Sequence, residues 1–421
     1  MLAAQKHRQE PLIALNHHLD LNWLAEAYRR VRKDAAPGVD GQTVAEYGKN
    51  LTGNLKSLLG RAKAGSYKAP PVKRAYVPKN ENEDRPIGLP TVEDKVLQRA
   101  VAMILEPIYE QEFQPFSFGF RPGRSQHQAL DYLQGQCHEQ RVQWVLEVDL
   151  RKFFDMVDHR EMLELLSRRV GDGVITRLVA KWLKAGVWEK GQVSYPEKGT
   201  PQGGVISPLL SNIYLHEVLD KWFVETVQPR CKGRTFMVRF ADDFIMGFEN
   251  LKDVEKVQKV IGKRFERFGL KINTEKTRLV RFGRPKQAKV GRGEKPETYD
   301  FLGFTHYWGK SRKGYWVVMK KTAASRFRRT LRSIREWGMK NRHLPLKEQQ
   351  RKLNQKLRGH DAYYGVTGNY RMLSKLRWRV AKMWRKWLVR RNRSKGPNWE
   401  KFQAMLRTFP LAPARIVHTR T

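Results

Sequence analysis

Cysteine is nearly absent. Of 421 residues only Cys137 and Cys231 carry a thiol, far apart and in unrelated contexts. Two such residues build neither a disulfide framework nor a cysteine-rich zinc site, and a reducing compartment is the default. Long apolar runs are missing as well. No stretch approaches the ~20 residues of a membrane-spanning helix, so no membrane partner is expected. The opening MLAAQKHRQEPLIALNHHLD lacks the charged-then-apolar order of a secretory signal, and its acidic residues speak against a transit peptide. No repeat of fixed period and no long low-complexity tract is visible. A cytoplasmic globular chain is the expectation.

Acidic residues are also scarce, and unevenly so. The whole chain carries 82 Lys+Arg against 42 Asp+Glu, a formal net charge of +40. Residues 301–421 hold 32 basic and 4 acidic side chains, or +28; residues 1–300 hold 50 and 38, or +12. Such an excess calls for a polyanionic partner, and nucleic acid is the commonest. A nearly balanced body followed by a very basic end reads as a catalytic unit with a nucleic-acid grip. The length allows two or three domains with a substantial core.

Along the chain, LNWLAEAYRRV places Leu21, Leu24, Ala25 and Tyr28 at helical spacing before AAPGVDG (35–41) breaks the pattern. RAYVP and RPIGLP flank a polar turn and predict a β-hairpin carrying Lys79 and Arg85. Helical patterning resumes at VEDKVLQRAVAMILEPIY. Ser125 with Gln128 predicts a capping box, and so does Asp158 with Glu161 ahead of a helix closed by Gly171. QWVLEVDL alternates as a strand, with Trp144, Leu146, Val148 and Leu150 on one face and Glu147 and Asp149 on the other. Ser207 is the expected N-cap of a helix with Pro208 in its first turn. TFMVRFADDFIMGF predicts two strands, KINTEKTRLVRF and YDFLGFTHYW further ones, and from about 320 onward the pattern is helical, basic and aromatic. The fold class expected is α+β with an all-α appendage.

Two adjacent carboxylates, Asp242 and Asp243, stand in the middle of an apolar stretch. An unpaired buried carboxylate costs several kcal/mol. One reading is a polar hairpin turn, which Asp favours. The other is a site at the hairpin tip, with Asp149 at the end of a strand pairing beside it. Carboxylates converging on a sheet edge make a hard, oxygen-only site suited to Mg²⁺ completed by phosphates and water. Two ions about 3.5–4 Å apart would serve an in-line phosphoryl displacement.

In order along the chain stand AAPGVDG, RPIGLPTVEDKVLQRA, FSFGFRPGRSQHQAL, VLEVDLRKFFDMVDH, KGTPQGGVISPLLSNIYLHEVLD, RFADDFIMGF, LKINTEKT and YDFLGF. With this series the chain resembles the group II intron-encoded reverse transcriptases, a resemblance running from roughly residue 24 to 415. The resemblance implies a right-hand polymerase: an N-terminal helical extension over 1–65, fingers and palm over 66–310, a helical thumb and maturase domain over 311–390, and a short basic nucleic-acid-binding tail over 391–421. It implies RNA-directed DNA synthesis with two Mg²⁺ ions, for which Mn²⁺ can substitute. Asp149 and Asp242 would be the direct ligands, Asp243 an outer or intermittent one, and the carbonyl of Leu150 a further oxygen. Phe154 matches the aromatic that excludes a ribose 2′-OH; otherwise it is a core ring beside Phe153. Lys79 and Arg85 match the pair that clamps the incoming triphosphate, with solvated surface charge as the alternative. Gln202 would contact nucleotide or template. Lys276 is a proton donor to pyrophosphate or else a surface lysine, and Leu302, Gly303 and Phe304 form a primer-grip turn or a plain strand-end turn. The family's usual Tyr-Ala-Asp-Asp carries Phe240 here, which keeps the ring and loses the hydroxyl.

Seven of the twelve tryptophans lie at or beyond Trp308. Basic residues there can grip phosphates and rings can stack on bases, or else the rings are core and the charges a solvated face. Trp384 and Trp387 are spaced to face one side of a helix, inward. The stretch LRGHDAYYGVTGNY is similar to the maturase domain, so group II intron RNA joins RNA template, DNA or RNA primer and dNTPs as expected partners, with target DNA a further candidate and the nucleoid the working location. No endonuclease-like set of paired cysteines and clustered histidines is present before Thr421, so target nicking is not expected. A domesticated relative in DNA repair or phage defence, or an RNA-folding maturase with incidental polymerisation, are the alternatives.

Overall fold

In a computed structural model the described residues are 10–78, 83–200, 203–285, 297–391 and 396–419. By internal contacts the chain divides into two compact units, 1–279 and 280–421. The motifs placed the end of the palm near 310, a division drawn on a different criterion.

The first unit opens with helices Leu21–Arg30, Val44–Gly48 and Leu51–Ala64. Asp20 caps the first through the Trp23 amide, a Thr43–Glu46 capping box starts the second, and left-handed Gly65 closes the third. Strands β1 (Val72–Pro78) and β2 (Asp84–Leu89) form the expected hairpin, pairing Val77 with Arg85. The buried helix Val92–Tyr109 follows, then Gln126–Glu139 with the predicted Ser125–Gln128 capping box.

Strand β3 (Trp144–Val148) leads into helices Phe153–Met156, His159–Ser167 and Gly173–Leu183. Asp158 caps the second of these through the amides of Arg160 and Glu161. That helix ends at Ser167 rather than at Gly171, whose amide instead donates to Leu12. The short strands β4 (Val187–Glu189) and β5 (Gln192–Ser194) extend the β1–β2 hairpin into a sheet of order β2-β1-β4-β5. The next helix starts at Ser207, one residue earlier than a Ser207 cap implies, with Ile206 as N-cap. It continues through π-helical turns at His216–Asp220 and Phe223–Val227.

Strands β6 (Thr235–Phe240) and β7 (Asp243–Phe248) form a hairpin, and β3 pairs antiparallel with β7 on its other side. With β8 (Arg278–Arg281), where the first unit ends, the sheet order is β6-β7-β3-β8. Only the RLVR part of KINTEKTRLVRF is strand; the residues before it form a turn. The side chains of Leu146, Val148, Met237, Phe244, Met246 and Phe248 pack from this sheet into one core with the surrounding helices, among them Leu251–Arg267.

In the second unit β9 (Tyr299–Phe301), β10 (Phe304–Lys310) and β11 (Trp316–Thr322) form a meander of order β11-β10-β9. β11 is a strand the sequence left unassigned, because WVVMKKT alternates only weakly. Helices Ala324–Lys340, Leu346–Tyr364, Tyr370–Arg391 and Trp399–Thr408 follow. Trp384 and Trp387 are buried as expected. The last helix packs Phe402 against Trp384, so the segment expected to be a basic tail contributes to a core.

Candidate active site

The hairpin β6–β7 turns through two residues, Ala241 and Asp242, closed by the pair Phe240–Asp243. Ala241 takes a φ of +56°, a conformation a Cβ disfavours. On the far side of β7, β3 ends with Val148 opposite Phe244. One further residue in that register brings Asp149 alongside the tip. The carboxylates far apart in sequence therefore meet at one sheet end.

Asp149 is fixed by the turn that precedes β8. Its amide donates to the Thr277 hydroxyl (3.3 Å), and its carbonyl accepts from the Asn273 amide (2.8 Å). The Asn273 side chain donates to Oδ2 (3.0 Å), and the exposed Lys276 ammonium lies 3.8 Å from the same oxygen. Leu150 bridges Ile272 in antiparallel fashion, with the hydrogen bonds carried by the flanking residues Asp149 and Arg151. In that geometry Leu150's own carbonyl points away from Ile272, toward the β7 side.

Asp242 is half-buried and Asp243 exposed. Burial pushes the Asp242 carboxyl up, and Asp149 adds to this, while Arg85 and Arg239 pull it down without restoring the ordinary value. A carboxylate in this state is an anion short of cation. Among the described residues no three His, Cys, Asp or Glu side chains gather closely enough to hold a metal by themselves. Two carboxylates and a backbone oxygen nonetheless fit a hard divalent ion whose remaining positions are filled by phosphate and water, the usual arrangement for Mg²⁺.

Phe154 and Phe153 have separate fates. Phe153 is a core ring; Phe154 packs edge-on against it at 5.3 Å and stays partly exposed. The carbonyl of Phe154 accepts from Thr200 (2.7 Å), Gly199 donates to Val157 (2.7 Å), and His159 Nε2 donates to Gly199 (2.7 Å). Gly199 and Thr200 are thus laced to the segment bearing Phe154. Gly203 (φ +110°) lies so close to β2 that a Cβ would stand 2.5 Å from the Gly88 carbonyl. Gln98 accepts there from Val205 (2.8 Å) and Ile206 (3.3 Å) and donates to Asp94 (3.0 Å). Lys79 and Gln202 lie outside the described residues. Arg85, exposed on β2, is near enough to act on Asp242.

Leu302, Gly303 and Phe304 belong to the second unit. Leu302 (φ +47°) and Gly303 (φ +79°) make the two-residue turn between β9 and β10. Tyr363 donates to the Leu302 carbonyl (2.7 Å), and Phe304 is buried against Tyr363 and Tyr364. Exposed Trp378 and Trp399 in the same unit carry cations over their rings, Lys382 at 3.7 Å and Arg385 at 4.4 Å.

Sequence reading missed Arg239, Asp220, Asn212, Asn273, Gln98 and Asp94. Arg239 had a signal: a charge inside the apolar TFMVRF demands a buried partner as much as Asp242 does. The others are polar residues on helices or turns, whose partners only the fold reveals.

Comparison with known proteins agrees with this geometry. A family model described as reverse transcriptase (RNA-dependent DNA polymerase) matches residues 77–306. A second, described as the group II intron, maturase-specific domain, matches 324–405. Protein YkfC of Escherichia coli is 36% identical over 292 residues, 61% of this chain and 76% of that protein. The group II intron-encoded protein LtrA of Lactococcus lactis is 43% identical over 172 residues, 41% of this chain and 28% of LtrA. A putative COX1/OXI3 intron 1 protein of Saccharomyces cerevisiae is 26% identical over 327 residues, 66% of this chain and 38% of that protein. No described helix is long and apolar enough to cross a membrane.

Proposed function

The chain belongs to the reverse transcriptases, the RNA-dependent DNA polymerases, with a group II intron maturase-specific domain behind the polymerase region, and from that premise we propose a two-metal extension of a primer on an RNA template. The observation that carries the reading is the convergence of Asp242, at the β6–β7 tip, with Asp149 at the end of β3, while Arg85 acts on the same carboxyl. The family uses divalent metals. A pair of Mg²⁺ ions held by Asp149, Asp242 and the Leu150 carbonyl, with Asp243 in an outer position, would neutralise the triphosphate and acidify the primer hydroxyl.

The chain's own groups divide the remaining work. Arg85, together with Lys79, grips the triphosphate through charge-assisted bonds. Phe154 presents its exposed edge where a 2′-OH would fall, and Gln202 touches nucleotide or template. In the reaction the primer 3′-oxygen forms a bond to the α-phosphorus as the bond to pyrophosphate breaks. Lys276, 3.8 Å from Asp149, returns a proton to the pyrophosphate. Leu302, Gly303 and Phe304 serve as the primer grip.

The second unit supplies the RNA grip, its basic and aromatic surface directed at phosphates and unstacked bases. Intron RNA is the partner this favours, in keeping with the maturase-specific match and with what the name of LtrA states of that protein. Primer extension on an RNA template with dNTPs and Mg²⁺ tests the whole. Wild type should yield DNA, and Asp242→Asn, folded as judged by circular dichroism, should yield none above background. Retained synthesis by Asp242→Asn refutes the site. If neither protein extends the primer and both bind RNA tightly, RNA folding becomes the function and polymerisation is lost.

A further inference from the structure

We propose that Arg239, Asp220, Asn212 and Gly119 form a buried strut that fixes the backbone at Ala241 and so aims Asp242; they are positioning residues, not catalytic ones. The inference rests on reading Asp242 as a metal ligand.

Arg239 and Asp220 are both completely buried. The guanidinium uses its whole fork. Nε donates to Asp220 Oδ1 (2.8 Å) and Nη2 to Oδ2 (2.6 Å). Nη1 donates to Asn212 Oδ1 (2.9 Å) and to the carbonyl of Ala241 (3.0 Å). Asn212 in turn donates from Nδ2 to the Gly119 carbonyl (2.6 Å). Gly119 closes the ring sterically: a Cβ there would stand 2.2 Å from the Ala241 nitrogen. The strand carrying Arg239 is tied to the same segment, with Arg239 donating to Phe116 (2.9 Å) and Phe118 donating to Arg239 (2.9 Å).

Ala241 is thus gripped at its carbonyl by Arg239 and blocked at its nitrogen by Gly119. It holds a left-handed φ that alanine does not choose unaided. A buried ion pair is not needed for stability, since apolar residues of similar volume do as well or better. What apolar residues cannot do is hold a main-chain carbonyl one residue ahead of Asp242. The π-helical turn His216–Asp220 follows directly on the helix that carries Asn212, so one continuous helix delivers both of Arg239's side-chain partners. Such turns recur where a helix must aim side chains at a functional site. The Arg239 charge also acts on Asp242 directly, a second route from the same residue.

Asn212→Ala cuts the link between Gly119 and Arg239 while leaving the Arg239–Asp220 pair in place. On an RNA template with Mg²⁺, kcat should fall on the order of 10- to 100-fold, as for a small misplacement of a reacting group. The KM for dNTP should stay within about twofold, because the triphosphate grip is elsewhere. The Mg²⁺ concentration for half-activity should rise. In the metal-free protein, hydrogen exchange should quicken at amides 117–120 and 240–243 and nowhere else. Arg239→Lys, which keeps a charge opposite Asp220 but has no fork to reach Ala241, should show the same pattern and serves where Asn212→Ala does not fold. Faster exchange throughout the first unit, with kcat per folded molecule and Mg²⁺ dependence unchanged, would mean a purely structural role and overturn the proposal. Wild-type kinetics and exchange in either variant overturn it equally. A wild type that extends no primer overturns the polymerase reading instead, and the metal-free exchange then decides the strut alone.

Discussion

Replacing Asp94 by asparagine should stabilise the first unit at high pH and leave it nearly unchanged at low pH. Asp94 is 1% exposed, and its carboxyl accepts from the Tyr67 hydroxyl (2.6 Å) and from Gln98 (3.0 Å). Burial pushes it up to about 6, against hydrogen bonds that pull the other way. A carboxyl raised in the folded state favours folding fully below its unfolded value and loses that contribution as pH rises through the folded one. The rise from 3.8 to about 6, at 1.36 kcal/mol per unit, makes ionised Asp94 a liability of about 3 kcal/mol above pH 6. No solvent screening softens this figure at so buried a site.

Asparagine cannot ionise, and like the neutral acid it offers one carbonyl and a donor. Below pH 4 the variant and wild type should therefore agree within about 1 kcal/mol. At pH 8 the variant should be more stable by up to about 3 kcal/mol. Urea denaturation of both proteins at pH 4, 6 and 8 checks this; every other titrating group cancels in the difference. Parallel curves across that range would refute the reasoning. The carboxylate is a costly choice with a use. Being an acceptor only, it forces the Gln98 amide to present its oxygen to Val205 and Ile206. Asparagine permits the flipped amide, so primer extension should fall as stability rises.

Phe154→Val should leave dNTP incorporation nearly intact and raise use of rNTPs by ~10-fold or more, since a methyl-sized edge no longer fills the 2′ position; a competition assay with both nucleotides reads this, and unchanged discrimination assigns Phe154 to packing alone. In the second unit Trp384 is 3% exposed and donates to Gln349 (2.9 Å). Trp384→Ala should cost that unit about 3–5 kcal/mol through the cavity and the stranded amide oxygen, visible as an earlier thermal transition. Loss of RNA binding without any thermal change would place Trp384 on the binding face instead.

Much of the frame was legible. Alternation found β3, and short β-prone runs between turn signals found β1, β2, β6 and β7. Capping chemistry found the start at Ser125, where a serine and a glutamine reciprocate across one turn. It misjudged the end at Gly171, which is used instead for backbone pairing with Leu12, a partner 159 residues away that local sequence cannot announce. β11 escaped for a related reason: of its adjacent lysines Lys320 is buried and Lys321 exposed, a placement that only pairing with β10 reveals. Asp149 and Asp242 were legible as chemistry, but their meeting depends on the register Val148–Phe244, set by the whole sheet. The strut was illegible beyond Arg239, because Asp220 and Asn212 look like ordinary helix residues until the helix is laid beside β6.

Backbone strain does not by itself mark the site. Among described residues other than glycine, φ is positive at Phe120, Arg141, Lys152, Lys190, Ala241 and Leu302. Lys190 and Leu302 each precede a glycine of positive φ in a two-residue hairpin, where the twist of the strands asks for that conformation and nothing further follows. The same logic makes the Leu302–Gly303 turn a strand connection first, with any primer contact added to it. Lys152 differs: it ends the extended run after β3 and starts the helix at Phe153, so its turn separates the core ring of Phe153 from the exposed edge of Phe154. Ala241 differs more. Its tip lacks the glycine that would make the turn cheap, the residue after it is a half-buried acid, its carbonyl is held by the Arg239 side chain two residues back, and Gly119, distant in sequence, crowds its nitrogen. A left-handed alanine costs roughly 1–2 kcal/mol, and a free hairpin would relax it. One that cannot relax, because Gly119 and Arg239 forbid it, stores that cost next to Asp242, the proposed metal ligand, which is where a fixed aim is useful.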